Sequence, residues 1–287
     1  PKSLKLPRLS LCFLLPALAG AVPVKGEAAA GPDAATPQGS TIKIVVLREH
    51  GVGAAAHAQQ YLDEFIEATA GLNGWSSASG KYYTGRANAE KYIDTNAPQF
   101  GILSIGAFLA LHEKHKMTVI GKVDVANAGG RQYFIVSKTH KTLGACKGKS
   151  LASDHLDDVK FIEKAVARGK FKLADFSLVP TRRPVQTIKK VTRGEAECAL
   201  IDDAQNAHRA SVDGGEDLET AWRSAKLPPM VIVSFPAATT AETRKFKANL
   251  ALVCTGVGRE ACKKTGMRAL RPATEVEYRA VMKAYDG

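Results

Sequence analysis

The sequence contains none of the short motifs that mark the common enzyme classes. It has no Gly-x-Ser-x-Gly elbow, no Walker-type phosphate loop and no Gly-x-Gly-x-x-Gly fingerprint, so the usual hydrolase, nucleotide-hydrolysing and dinucleotide-binding signatures are missing. The nearest approach, Gly51-Val52-Gly53, lacks the third glycine. We therefore predict that the protein is not an enzyme. An exported enzyme with a free cysteine nucleophile is the alternative, and a free-thiol titration would reveal it.

The sequence also has no apolar run as long as the roughly 20 residues that a membrane-spanning helix needs. The apolar run at residues 9–18 follows Lys2, Lys5 and Arg8 and precedes several small residues. This basic, apolar, small-residue order is that of a secretory signal peptide. Residues 31–40 are rich in Gly, Pro and Ala and indicate a linker. We predict a signal peptide and linker over residues 1–40, and a folded, periplasmic protein from Thr41 onward.

Cysteine is scarce and no Cys-x-x-Cys pair occurs, which disfavours a thiolate zinc site. Removing Cys12 with the signal peptide leaves an even number, and an exported chain favours disulfides. Cys254 and Cys262 bracket a short turn and are predicted to pair, which leaves Cys146 and Cys198 as the second pair by default. The alternative for Cys198 is an unpaired, buried strand residue.

The formal net charge is +12, but lysine and arginine are spread along the chain without a dense run or interleaved aromatic residues. This pattern favours a solvated basic surface, so we expect no nucleic-acid partner. The histidines do not recur with a carboxylate on one helix face, so we predict no metal site. No cofactor is expected.

Two stretches share one pattern: a short amphipathic helix, a turn, and a buried strand whose end becomes polar. The first covers residues 88–106 and ends its strand at Ser104, and the second covers residues 186–203 and ends at Asp202. Ligands of open α/β sheets bind beyond such carboxyl strand ends. Two such ends predict two α/β lobes that face one cleft.

Strands alternate with helices along the chain, which predicts an α/β fold with a parallel or mixed sheet in each lobe. We expect the strands at residues 131–137 and 230–234 to cross between the lobes. Lobe one then contains residues 41–135 plus 232–287, and lobe two contains residues 136–231. A polar helix is predicted over residues 210–226, and helices over 240–253 and 275–285 are expected to pack on lobe one. Two crossings form a hinge, which lets the cleft close on a ligand.

Four segments of the chain, in order, carry a resemblance: Lys43-Ile44-Val45-Val46-Leu47, Phe100-Gly101-Ile102-Leu103-Ser104-Ile105-Gly106-Ala107-Phe108, Gly148-Lys149-Ser150 and Arg193-Gly194-Glu195-Ala196-Glu197-Cys198-Ala199-Leu200-Ile201-Asp202. They resemble the type 2 periplasmic substrate-binding proteins, in particular the phosphate/phosphite/phosphonate branch that serves ABC transporters. The resemblance covers nearly the whole chain after about residue 41. It implies a receptor that captures a small anionic or zwitterionic solute and delivers it to an ABC permease in the inner membrane. We expect a monomer; a ligand-sensing module for a signalling partner would have the same sequence features.

In that branch a cluster of small hydroxyl residues at the first helix of lobe two holds the anionic oxygens of the ligand. The matching positions here are Ser153-Asp154-His155, with Asp157 and Asp158 behind them. Three aspartates would repel a dianion from this helix start. Either their side chains point outward and interact with the helix dipole, or the ligand is not a phosphonate.

The candidate ligand contacts share a position at a strand end or a helix start. They are Glu49, His50, Tyr83, Thr84, Arg86, Ser104, Ser153, His155, Arg182 and Asp202. Arg182 could hold a carboxylate or phosphate at two points, or it could be a solvated loop residue. Thr84 could offer a hydroxyl beside a stacking Tyr83, or it could belong to an ordinary helix cap with the tyrosine covering core.

Overall fold

The structure is a computed structural model and describes residues 41–49, 55–126 and 129–287. For residues 55–57 it describes the backbone alone. The predicted signal peptide and linker, and the candidate His50, lie outside the described residues. Within the described ranges, no helix combines the length and the apolar character needed to cross a bilayer.

Eleven strands and nine α-helices follow one another along the described chain. The strands are β1 Ile42–Leu47, β2 Ala78–Tyr83, β3 Phe100–Leu103, β4 Thr118–Val125, β5 Tyr133–Ser137, β6 Ser150–Ser153, β7 Ser177–Pro180, β8 Cys198–Asp202, β9 Glu219–Arg223, β10 Met230–Ser234 and β11 Met267–Pro272. The α-helices are α1 Ala55–Asn73, α2 Arg86–Asn96, α3 Ile105–Leu111, α4 Leu143–Cys146, α5 Pro184–Thr192, α6 Asp203–His208, α7 Thr240–Val253, α8 Arg259–Thr265 and α9 Arg279–Asp286. A π-helix covers Phe161–Ala167, and 3-10 turns cover Leu173–Asp175, Arg209–Ser211, Gly256–Gly258 and Glu275–Glu277.

The first sheet has six strands in the order β11-β4-β10-β3-β1-β2. Strand β1 runs parallel to both β2 and β3, whereas β10 is antiparallel to β3 and β4. Helices cover both faces of β1: Val45 and Leu47 pack into one hydrophobic cluster, and Ile44 and Val46 pack into another. Burial on both faces explains why residues 44–47 of β1 are all apolar instead of alternating with polar residues. We call this sheet and its helices lobe one.

The second sheet has five strands in the order β7-β6-β8-β5-β9. Strand β6 is parallel to β7 and β8, and β5 is antiparallel to β8 and β9. We call this sheet and its helices lobe two. The two mixed sheets agree with the α/β, two-lobed architecture expected from the sequence.

Both cysteine pairs expected from the sequence are joined in the structure. Cys146 is bonded to Cys198 with a Cα–Cα distance of 6.2 Å, and Cys254 is bonded to Cys262 with a Cα–Cα distance of 5.5 Å. The first disulfide ties α4 to β8 inside lobe two. The second fastens the end of α7 to α8 in lobe one. A cysteine nucleophile therefore has no free thiol among the described residues.

The chain passes between the sheets in two segments that lie side by side. One joins β4 to β5 and the other joins β9 to β10, and Leu227 of the second donates its N–H to the carbonyl of Arg131 in the first over 2.7 Å. The boundaries between the lobes that were expected at residues 135 and 231 fall inside strands β5 and β10. Pairing assigns all of β5 to the sheet of lobe two and all of β10 to the sheet of lobe one, so the crossings precede these strands.

Two predicted helices differ in the structure. Residues 210–226 are not one helix, because the chain turns at Gly214 and Gly215 and then forms strand β9. A Cβ at Gly215 would lie 2.0 Å from the carbonyl oxygen of Arg209. The backbone therefore turns tightly here, and a helix cannot continue through residues 210–226. The first helix of lobe two was expected to start at Ser153, but Ser153 ends β6. The π-helix starts later, at Phe161, whose N–H donates to Asp158 over 3.0 Å.

The C-terminal helices pack on different partners. Helix α7 buries Phe246 and Leu250 against the sheet of lobe one, as expected. The segment over residues 275–285 contacts both lobes: Tyr278 packs edge-on against Phe108 of α3, with ring centroids 5.9 Å apart, and α9 also lies against the π-helix of lobe two. Lys160 places its Nζ 4.0 Å from the centroid of the Tyr285 ring, and the Nζ of Lys164 donates to the carbonyl of Gly287 over 2.8 Å. Helix α9 thus connects the far end of the chain to lobe two.

Candidate ligand-binding cleft

A cleft of about 1940 Å³ lies between the two sheets. The carboxyl ends of β1, β3, β6 and β8 open into it, which is where open α/β sheets bind ligands. Its walls come from both lobes and from the crossing segments. The charged residues of the walls are Arg48, Glu49, Arg86, Asp124, Arg131, Asp154, Asp157, Asp158, Arg182, Arg183, Asp202, Arg268 and Arg271, together with the histidines His155 and His208.

The wall of lobe one is centred on Glu49, which follows β1. Because β2 and β3 run parallel to β1 on either side, Arg86 and Ser104 arrive at the same edge of the sheet. Arg86 donates from Nε to Glu49 Oε1 over 2.7 Å and from a terminal nitrogen to Oε2 over 3.0 Å. The hydroxyl of Ser104 donates to Oε2 over 3.3 Å. This two-point contact fixes the plane of the guanidinium group.

The same guanidinium group reaches across the cleft to lobe two. A terminal nitrogen of Arg86 donates to Asp158 Oδ2 over 2.6 Å. Burial opposes the charge of Arg86, but the hydrogen bonds and charges of Glu49 and Asp158 outweigh it and raise its pKa. Asp158 therefore faces the cleft and is neutralised there, which differs from the outward orientation that was one of the two alternatives.

The wall of lobe two is a buried hydrogen-bond network. Strands β6 and β8 are parallel neighbours, so the residues that follow them meet. His155 Nε2 lies 2.9 Å from Gln205 Oε1, and Gln205 Nε2 donates to Asp154 Oδ1 over 2.9 Å. Asp202 accepts the N–H of Gln205 over 2.9 Å as the cap of α6. The network leaves these side chains few alternative rotamers.

Asp202 and Asp154 are the carboxylates of this hydrogen-bond network. Burial raises the pKa of Asp202, although the nearby His155 ring opposes the shift. Asp154 also accepts the hydroxyl of Thr187 over 2.9 Å. The backbone of the first crossing segment lies directly on Asp202, since a Cβ at Gly129 would come within 1.7 Å of Asp202 Oδ2.

The structure brings most of the sequence-predicted residues to the cleft but not all of them. Those that line it are Glu49, Thr84, Arg86, Ser104, His155, Arg182 and Asp202. Tyr83 lies instead beside Tyr92, with ring centroids 5.7 Å apart. Ser153 is buried and donates its hydroxyl to the carbonyl of Leu200 over 2.7 Å. The arginine side chain of Arg182 is exposed on the lobe two rim.

Several cleft residues were missed by sequence reasoning. Gln205 could have been found, because Asp202-x-x-Gln205 has the spacing of a capping box. Tyr133 stands edge-on to the His155 ring at 5.3 Å, and burial raises its pKa well above the ordinary value. Arg268 and Arg271 come from β11, near the end of the chain. No local pattern indicates that this strand borders the cleft.

Solved structures of other proteins share this architecture. XAC2383 from Xanthomonas citri, bound to chloride ion, superposes with a TM-score of 0.67 at 11% identity and covers 86% of this chain and 97% of its own. PhnD1 from Prochlorococcus marinus, in complex with methylphosphonate, superposes with a TM-score of 0.62 at 10% identity over 85% and 96%. The chain has the fold of the type 2 periplasmic substrate-binding proteins.

A third solved structure of this fold agrees. The binding component of an ABC phosphonate transporter from Pseudomonas aeruginosa superposes with a TM-score of 0.60 at 9% identity, over 85% of each chain. No protein-family model and no curated protein sequence matches this chain. The periplasmic-binding-protein fold is therefore established by structure, and its ligand has to be inferred from the cleft.

Proposed function

We propose that the protein is an exported solute-binding receptor that captures a small solute in the inter-lobe cleft and delivers it to an ABC permease. The observation that carries this proposal is the placement of Arg86. Its guanidinium group is held by Glu49 of lobe one and also contacts Asp158 of lobe two over 2.6 Å. Because this cleft residue contacts both lobes, its contacts change when the lobes open or close.

An anionic or zwitterionic solute fits this site best. Arg86 and Arg182 can bind a carboxylate, phosphate or phosphonate oxygen, and the hydroxyls of Thr84 and Ser104 can complete the hydrogen bonds. The anion would take the place of Asp158 on Arg86, since both are acceptors for the same N–H groups. On the opposite wall, Asp202 can receive an ammonium or hydroxyl group. A phosphonate-type solute is supported by the family resemblance.

A role in transport is supported by the hinge between the lobes and by the predicted export. Closure of the lobes brings two surfaces into one fixed arrangement, which a membrane permease can recognise. The signal peptide and linker predicted over residues 1–40 support a periplasmic location. In this proposal the protein acts as a monomer, without a cofactor, a nucleic-acid partner or a catalytic step.

A ligand screen tests the proposal directly. We expect one class among phosphonates, phosphate, amino acids and small carboxylates to raise the melting temperature and to bind with one-site stoichiometry by calorimetry. The double variant Arg182→Ala, Ser104→Ala should then bind at least about tenfold more weakly, since each bond to a charged group contributes about 1.5–3 kcal/mol. Arg193→Ala, exposed on lobe two and away from the cleft, is the control. Unchanged affinity in the double variant would contradict the proposed site.

A further inference from the structure

A second group of ligating side chains lies outside the cleft, where α3 ends beside the C-terminal helix α9. It consists of His112, which follows α3, its neighbour Glu113, and Asp286 at the end of α9. One ligand atom from each residue lies within 4.8 Å of the others. The three side chains come from two helices that are far apart in sequence, so the fold brings them together.

The imidazole of His112 has its proton position fixed by its own helix. The residue is 8% exposed, and its Nδ1 lies 3.2 Å from the carbonyl oxygen of Phe108 and 3.1 Å from that of Leu109. Two carbonyl acceptors require the proton on Nδ1, which leaves Nε2 with a lone pair. Metal-binding histidines are oriented in this way, with one ring nitrogen bonded to a carbonyl and the other on the metal.

The two carboxylates have no basic partner within the described part of the chain. Glu113 and Asp286 are both exposed, and no lysine or arginine of residues 41–49, 55–126 or 129–287 forms an ion pair with either. The formal charge of the chain is +12, so basic side chains are plentiful elsewhere. Two carboxylates this close repel each other, and a divalent cation between them would relieve the repulsion.

A neighbouring histidine provides a useful contrast. His115 Nε2 lies 3.7 Å from Glu90 Oε1, but Lys114 also contacts this carboxylate over 2.6 Å. There a lysine supplies the positive charge. At His112 the equivalent cation is missing from the described residues.

From these observations we propose that His112, Glu113 and Asp286 form a binding site for a divalent transition metal of the Zn²⁺ class. One imidazole nitrogen and two carboxylate oxygens are donors that Zn²⁺ accepts, and water would complete the coordination. The site is separate from the cleft and does not depend on the proposed solute. A bound ion would fasten α9 to α3, whose first turn follows Ser104, while α9 itself contacts the π-helix of lobe two.

Zinc titration of the full chain without a histidine tag tests this site. We expect saturable binding of one Zn²⁺ per chain by calorimetry and by metal analysis after dialysis, together with a higher melting temperature. Glu113→Gln and Asp286→Asn should each weaken binding at least about tenfold, the loss that even an outer-shell partner causes. These two residues are exposed, so both variants should fold, and circular dichroism checks that they do.

Glu90→Gln is the matched control, because it alters the carboxylate beside the other histidine of the same region. Its Zn²⁺ affinity should equal that of the unaltered chain. The proposal is overturned if the chain binds no Zn²⁺ saturably, or if both Glu113→Gln and Asp286→Asn bind as tightly as the unaltered chain. Loss of binding in Glu90→Gln alone would also overturn it, since the metal would then lie at His115.

Discussion

Arg86 of lobe one and Asp158 of lobe two form an ion pair of 2.6 Å across the cleft. Both side chains are partly buried, with 27% and 17% of their surfaces exposed, so solvent screens the pair only in part. Asp158 also caps the π-helix through its other oxygen. The contact therefore links the edge of one sheet to the start of a helix on the other, and it favours the closed arrangement of the lobes.

The first prediction concerns this ion pair. Asp158→Asn removes the charge but keeps a side-chain oxygen that can cap the π-helix, because asparagine caps helices as well as aspartate does. We expect the ligand-free protein to populate a more open form, with a larger radius of gyration in small-angle X-ray scattering. The free energy of unfolding should fall by about 1–3 kcal/mol.

Asp217→Asn is the control for this experiment. It removes an exposed carboxylate of lobe two that lies 3.5 Å from Lys138 and does not line the cleft. Its scattering curve should match that of the unaltered protein. If Asp158→Asn also leaves the curve unchanged, the ion pair does not hold the lobes together.

The second prediction tests the close approach of the first crossing segment to lobe two. Gly129→Ala would place a Cβ 1.7 Å from Asp202 Oδ2, so the segment or the carboxylate has to move. We expect a loss of about 1–3 kcal/mol in the free energy of unfolding, as for an overpacked core, measured by urea titration. At Gly144 a Cβ meets nothing within 4 Å, so Gly144→Ala should cost nothing. Equal stability of the two variants would show that the backbone at Gly129 does not pack tightly against Asp202.

The parts of the fold and cleft that could be predicted from the sequence are those with a local signal. Strand β1 contains the apolar run of residues 44–47, and Ser104 follows a buried strand, so this edge of the lobe one sheet could be predicted. The disulfide Cys254–Cys262 spans so few residues that its pairing could be predicted from the sequence. Each of these features depends on neighbours in the sequence.

The rest depends on contacts between distant residues. Tyr83 and its neighbour Tyr82 point to opposite faces of β2, and the packing of the sheet decides what each ring contacts. Tyr83 lies beside Tyr92, and Tyr82 packs on the hydrophobic cluster of the other face. The bond from Arg86 to Asp158 requires both lobes to be in place. Strand β9 was mistaken for a helix because Ala221 and Trp222 lie in a polar stretch that has no clear alternation. In the fold, pairing with β5 determines its conformation.

The third prediction compares the two disulfides. Cys146–Cys198 spans 52 residues and Cys254–Cys262 spans 8, so the longer loop restricts the unfolded chain more. Loop-closure entropy gives about 4 kcal/mol for the first and about 2.5 kcal/mol for the second. Replacing both members of each pair with alanine should therefore destabilise lobe two more than lobe one. Thermal unfolding of the two double variants measures the difference. An equal or reversed order would mean that native packing outweighs the loop term.

The fourth prediction concerns the pH dependence caused by Asp202. Burial raises the pKa of its carboxyl group in the folded state, so the folded protein binds this proton more tightly than the unfolded chain does. The contribution of Asp202 to stability is then largest below its ordinary pKa and declines as pH rises through the higher, folded-state value. Asp202→Asn cannot ionise but can still accept the N–H of Gln205, so its stability should not show this decline. Urea titrations from acid to neutral pH give the difference in unfolding free energy between the two proteins. That difference should shift in favour of the asparagine variant as pH rises. A shift in the opposite direction would mean that the fold stabilises the ionised carboxylate of Asp202.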